Sequence, residues 1–392
     1  MEPAAASPIT RLQQAALIAV MVTALTEALT IAFNIGATVT RFGATAAEAG
    51  SVATAQGLCM AFAALTGTRL ITHFSARRLV GAGLVLVGMG HALSLLAPSI
   101  AALAACQAMG GLGSGLVICV VMATAARAPK PEMTYGLINA SVGLSLSLLA
   151  LTVPRLLLAG GFSAAYGFYA LLAAAALLCL PALPGSRAPS AAEADMAAPL
   201  AAATSPRGGW VGWIALCGMG LFYATISSLG AFIERIGVAA HVPLTTIGLA
   251  IFVGGLLTIV GPIGAGLVGA RFGSTRPLVL VGGLMALATF GLALGSSVTS
   301  YLVSIPLWIV LPAVLTPSFL GGLAVIDRSG KLAGAQPAFA TLGGSLGPMT
   351  AGAVVDTSGY TGLGFFVLAI LAAALSLMAA ATTRADALRA RV

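Results

Sequence analysis

Four polar residues recur at helical spacing inside an apolar stretch: Thr23, Glu27, Thr30 and Asn34, at intervals of four, three and four. That spacing stacks them in one stripe, while Ala28, Leu29, Ile31 and Ala32 fill the other faces of the helix. Glu27 is the member that can do chemistry. Kept as an anion at the middle of a bilayer, it would cost on the order of 3 kcal/mol. A carboxyl that loads a proton from one side of a membrane and unloads it to the other is what coupling to a proton gradient requires. The plainer reading is a permanently neutral Glu27 hydrogen-bonded to a neighbouring helix. Glu2, Glu48, Glu132, Glu193, Asp195, Asp327 and Asp386 fall in loops or tails, and Glu234 and Asp356 at helix ends, so Glu27 alone of the ten acids is deep.

Other apolar segments carry single polar residues: Gln56, Gln107, Asn139, Tyr223 and Gln336. With Thr23, Thr30 and Asn34 they are the candidate substrate contacts, the competing role of each being a hydrogen bond between packed helices. Buried charge is scarce among them, which favours a neutral or weakly polar substrate over a multiply charged anion. Arg155 falls near the end of its segment, where an interface anchor belongs. His91 titrates in a range that suits a proton relay, although a lone His in a span is more often a structural hydrogen-bond partner. The sequence has no phosphate loop with its Lys, no nucleophile–base set and no metal-ligand spacing, so neither an enzyme nor a cofactor or metal is expected. Cys59, Cys106, Cys119, Cys179 and Cys217 all lie in apolar segments and read as small buried thiols.

The elements that hold these residues follow from composition. Of 392 residues, 59% are hydrophobic and only 7% charged, with mean hydropathy +1.06. A soluble domain is nearer a quarter charged. Lipid must therefore be the solvent for most of this surface, and long apolar runs favour helices over barrel strands. Windows of about 20 apolar residues place spans near 12–39, 46–70, 76–96, 100–126, 132–158 and 162–181, then near 210–236, 243–270, 274–296, 300–326, 332–357 and 361–382. The segment 184–209 is rich in Pro, Ala, Ser and Gly and reads as a linker between residues 1–183 and 210–392. The net charge of +8 is spread singly through short loops, which excludes a nucleic-acid patch. With the N-terminus in the cytoplasm, the outer side carries Arg41, Arg155 and Arg235, and the cytoplasmic side carries the other fifteen of the 18 Lys and Arg. That bias predicts both termini on the cytoplasmic face.

The chain also repeats itself at an offset of 198 residues. His73-Phe74-Ser75 falls on Arg271-Phe272-Gly273, Gly136 on Gly334, Gly161-Phe162-Ser163 on Gly359-Tyr360-Thr361, and Phe168 on Phe366. A parallel repeat of six spans starts both halves on the same side.

Twelve spans, a parallel six-plus-six repeat, a central linker and basic loops after the second and eighth helices resemble the major facilitator superfamily. Its loop signature, Gly-x-Leu-x-Asp-Arg-x-Gly-Arg-Arg/Lys, is met here by Thr68, Leu70, Thr72, His73, Ser75, Ala76 and Arg77, and in the second copy by Gly266, Val268, Ala270, Arg271, Gly273 and Arg276. The acid is absent from both copies. The basic residues Arg77, Arg78, Arg271 and Arg276 remain where the family places a conformational latch. The fourth-helix signature is similar to Gln107-Ala108-Met109-Gly110-Gly111-Leu112-Gly113, with Gln107 where the family has Arg. Helix 11 carries the look-alike Gly343-Gly344-Ser345-Leu346-Gly347-Pro348. Helix 5 departs from the exchanger signature, with Leu148-Leu149-Ala150 where Gly-Pro is required and Pro154 displaced. Thr26-Glu27-Ala28, Ala49-Gly50-Ser51 and Thr54-Ala55-Gln56-Gly57 look like the drug/sugar:proton antiporter branch.

The resemblance implies two six-helix bundles around a central cavity, access alternating by rocking, and a cavity lined by helices 1, 2, 4, 5, 7, 8, 10 and 11, the set that holds the candidate substrate residues. The expectation is an all-α, twelve-span monomer in the inner membrane. It would move a small neutral or weakly polar organic solute with protons, leaning to export. The alternatives are proton-coupled import and a membrane receptor or partner that transports nothing.

Overall fold

The computed structural model describes residues 10–126, 128, 131–183, 209–272, 275–295, 297–326 and 331–389. Among them eleven α-helices and one short 3-10 turn, Leu180–Ala182, follow one another, and no strand occurs. The first half holds α1 (Arg11–Leu29), α2 (Ile31–Phe42), α3 (Ala46–His73), α4 (Ala76–Ser94), α5 (Ile100–Ala125) and α6 (Pro131–Leu177). The second holds α7 (Gly209–Ala239), α8 (Leu244–Phe272), α9 (Thr275–Ala293), α10 (Val298–Ile326) and α11 (Lys331–Arg389). The expected linker lies outside the described residues except for Gly209, which opens α7.

Two helices are twice the length a bilayer needs, and each bends back on itself at a glycine. In α6 the backbone turns at Gly160 and Gly161, where Gly161 adopts φ 59°. In α11 it turns at Gly359, with φ 65°. Left-handed backbone favours glycine because it has no Cβ to clash. Gly161 and Gly359 are 198 positions apart, so the sequence repeat is also a repeat of backbone geometry. With α1 and α2 forming one interrupted span, the chain crosses the membrane twelve times, in two parallel six-helix bundles.

The first span is expected to be continuous over 12–39, and it is not. It breaks at Thr30, whose backbone leaves the helical region at φ −109°, ψ 15°. The cause is competition of side chains for the helix carbonyls. The Thr30 hydroxyl donates to Thr26 O (2.8 Å), and the Asn34 side-chain amide donates to Glu27 O (3.2 Å). The remaining helix ends fall within about three residues of those read from the sequence, apart from α6, which stops at Leu177, four short of the expected 181, and α11, which runs on to Arg389. Capping explains two of the starts. Thr10 with Gln13 and Thr45 with Glu48 form reciprocal capping boxes at the heads of α1 and α3.

The halves meet where α2 packs on α7, α3 on α11, and α6 on α8. The seam runs from mid-depth to the end remote from the termini and holds several very close approaches. Gly50 lies on the Pro348 carbonyl, Gly352 on Ala46, Gly248 on Ala150 and Gly255 on Ser147, each so close that a Cβ would overlap its neighbour. Ser147 Oγ also donates to Phe252 O across the seam (3.1 Å). At its far end Asp356 of α11 accepts from the first two backbone N–H groups of α3, Ala46 N (2.9 Å) and Ala47 N (2.8 Å). A carboxylate on a helix N-terminus is a favourable charge–dipole pairing, held down in strength here by exposure. Replacing Asp356 by Ala should loosen closure of this end by about 1 kcal/mol, roughly five-fold in equilibrium. The check is the alkylation rate, from the far side, of a cysteine placed at Ala53 in a cysteine-free background, which should rise by that factor.

Candidate functional site

Between the halves lies a cavity of about 440 Å³. Its wall is mostly apolar: Ala28, Leu29, Ile31, Ala32 and Phe33 from the first span, Met60 from α3, Ile226 from α7, and Trp308, Ile309 and Pro312 from α10. Polar atoms come from Gln56, Tyr223, Ser227, Thr341 and Ser345, and no charged side chain lines it. Three prolines, Pro306, Pro312 and Pro317, interrupt the hydrogen bonding of α10, and Pro312 borders this space. The volume suits a small organic molecule, and the wall offers it hydroxyls, amides and aromatic faces.

The polar stripe of the first span does not face this cavity. Thr23, Glu27, Thr30 and Asn34 are all buried, and they point into the first bundle, while the apolar face beside them forms the cavity wall. The physical reason is the supply of partners. Tyr169 of α6 reaches both Thr30 Oγ1 (2.9 Å) and Asn34 Oδ1 (2.9 Å), and Asn34 Nδ2 donates to Thr30 Oγ1 (3.1 Å). Thr23 donates to Ala19 O (2.9 Å). Changing Tyr169 to Phe would leave the Asn34 carbonyl oxygen without this donor. It should cost about 1 kcal/mol of stability, read as a lowered thermal midpoint.

Glu27 is 6% exposed and is gripped from two sides. Gln56 of α3 donates its Nε2 to Glu27 Oε2 (2.6 Å). Gln107 of α5, fully buried, lies against the other side. With its amide nitrogen turned toward the carboxyl it donates to Oε1 (2.6 Å) and Oε2 (2.5 Å), and its oxygen accepts from Ser94 Oγ (2.8 Å). His91 of α4 brings Nδ1 to 3.9 Å from Oε2, and this nitrogen has no hydrogen-bond partner among the described residues. Tyr166 and Tyr169 pack edge-on against the His91 ring. No Lys or Arg forms an ion pair with Glu27 among the described residues. Gln56 is the bridge between the two sites, because it lines the cavity and also holds the carboxyl.

The remaining candidates are spread. Tyr223 lines the cavity with Gln56. Asn139 is exposed and Gln336 is buried, and neither lines the cavity. Arg77 donates its Nε to Leu183 O (2.6 Å) within its own half. Arg78 and Arg276 are exposed, and the Arg271 side chain lies outside the described ones. Arg155 is exposed and folds back onto the Leu151 carbonyl. The five cysteines are free thiols. They are half-buried or exposed, not buried as expected. Ser94 and Tyr169 escape a sequence reading, as does the weight that His91 deserves. A spacing signal exists: His91 and Ser94 share one face of α4, and Tyr166 and Tyr169 one face of α6.

Residues 15–326 match the sequence pattern of the Major Facilitator Superfamily. No curated protein matches the chain in sequence. Among solved structures, a single-residue variant of the nucleoside transporter NupG superposes with TM-score 0.76 at 13% identity, covering 97% of this chain and 99% of that one. Unaltered NupG gives TM-score 0.71 at 13% identity with the same coverage. The human organic anion transporter MFSD10 gives 0.63 at 18% identity, over 94% of this chain and 99% of that one. At these identities the likeness is one of fold.

Proposed function

Since the chain belongs to the major facilitator superfamily, and is thus a multi-pass membrane transporter and not an enzyme, we propose that it carries a small neutral or weakly polar organic solute coupled to protons, with Glu27 as the proton site. The observation that supports this is the double role of Gln56. One amide side chain borders the cavity and donates to the deep carboxyl, so solute and proton share a wall. A cavity without a charged side chain suits a neutral solute. The halves touch at the end remote from the termini, so with both termini in the cytoplasm this is the inward-facing state of an alternating-access cycle. We read the direction as export, from the likeness of the first two helices to the antiporter branch, and the working unit as a monomer in the inner membrane.

The test is flux in proteoliposomes under an imposed pH gradient, beginning with nucleosides, since NupG is a nucleoside transporter, and continuing through small neutral organic solutes. Flux that reverses when the gradient is reversed supports the reading. Flux that ignores the gradient overturns the coupling. A solute that binds but is never moved would make the chain a membrane receptor instead.

A further inference from the structure

We propose that Gln107 is a positioning residue that turns its side-chain amide over when Glu27 gains or loses a proton, passing the protonation state of α1 to the backbone of α4. The inference rests on the reading of Glu27 as the proton site and deepens it.

The argument is one of complete hydrogen-bond sets. When Glu27 is ionised it can only accept. Gln56 donates to Oε2, the Gln107 nitrogen donates to both carboxylate oxygens, and the Gln107 oxygen accepts from Ser94 Oγ (2.8 Å). The single Ser94 proton is then used on Gln107. When Glu27 is protonated it must donate, and the Gln107 nitrogen is the wrong partner. Half a turn of the amide brings its oxygen to that place, 2.6 Å from Oε1, where it accepts the carboxylic proton. The nitrogen now donates to Ser94 Oγ (2.8 Å), which frees the Ser94 proton for the Gly90 carbonyl (2.7 Å). Each arrangement satisfies the carboxyl, the Gln107 oxygen and the Ser94 hydroxyl in one protonation state and leaves a clash of like groups in the other. Unsatisfied buried polar groups cost enough to make that choice decisive.

An arginine at position 107 could not do this, because a guanidinium has donors only. The groups that titrate and face the carboxyl are His91 from α4, at 3.9 Å, and Tyr166 and Tyr169 from α6. α3 and α5 present the two amides. The receiving end of the chain is tight. A Cβ at Gly90 would sit 2.8 Å from Cys106 O and 2.9 Å from Gly110 N, so the carbonyl that gains or loses the Ser94 bond lies where α4 and α5 touch backbone to backbone.

The whole protein in lipid nanodiscs, labelled with 15N-glutamine, gives five side-chain amides, because the sequence has only Gln13, Gln14, Gln56, Gln107 and Gln336. Gln56 and Gln107 are assigned by their loss in Gln56→Met and Gln107→Met. On acidification the through-space contact of the Gln107 amide protons should pass from the Glu27 methylenes to the Ser94 methylene, at the same midpoint as a shift of the Gln56 signal. In Glu27→Gln both changes should vanish. A Gln107 contact that stays put while Gln56 still shifts overturns the reorientation and leaves Glu27 as the proton site. If neither signal responds in protein that still transports under a pH gradient, the reorientation and the Glu27 assignment fall together.

Discussion

Glu27→Gln should abolish gradient-driven accumulation. One proton moving across 100 mV supplies about 2.3 kcal/mol, enough to hold a neutral solute at roughly fifty-fold over equilibrium. Glutamine keeps the size of the side chain and can still accept from Gln56 (2.6 Å to Oε2 in the native pair), but it cannot carry a proton through the cycle. Accumulation in vesicles should therefore fall from as much as about fifty-fold to the passive ratio, while binding and downhill exchange persist. The measurement is the steady-state solute ratio at an imposed pH gradient and potential, beside exchange at zero gradient. An unchanged ratio in the variant would remove Glu27 from the coupling.

The second large effect is expected at the seam. Gly50 lies against the Pro348 carbonyl and Gly352 against Ala46, with no room for a Cβ in either place. Valine at Gly50 would push the two halves apart at the end remote from the termini. Overpacking costs typically 1–3 kcal/mol, which corresponds to a 5–150-fold shift between two conformations. Because the contact is between halves, the cost falls on the closed state more than on the fold of either bundle. Transport should drop by at least the lower figure. Far-side access to the cavity should rise by a similar factor, read again by alkylation of a cysteine at Ala53. Normal transport in Gly50→Val would mean that this seam does not close during turnover.

How much of this was legible in the sequence varies with the range of the interaction responsible. Helix number and ends were readable because apolar runs of bilayer length are local. The turns at Gly161 and Gly359 were readable because the repeat places both residues in register. The interruption at Thr30 was not, since it depends on Thr30 and Asn34 side chains that Tyr169 holds from 139 and 135 residues away. The site shows the same division. Glu27, Gln56 and Gln107 are conspicuous as polar residues in apolar helices, but their mutual contact is not. A polar stripe needs partners, and either a wet cavity or a neighbouring helix can provide them. Which of these it meets depends on how six helices pack, and sequence spacing carries no term for that. Ser94 and Tyr169 were missed for a simpler reason. Single hydroxyls are common in such helices, and these two acquire meaning only from the carboxyl and amides beside them.

At several points, such as Gly50 on Pro348 and Gly352 on Ala46, the contact between the halves is backbone on backbone, whereas the cavity is walled by side chains. Exchanging Tyr223, Ser227 or Thr341 for other residues would therefore recut the shape offered to a solute and leave the rocking surface untouched. Cargo preference and the mechanics of opening can diverge independently in such a molecule, so close relatives of this chain could share one motion while differing in what they carry.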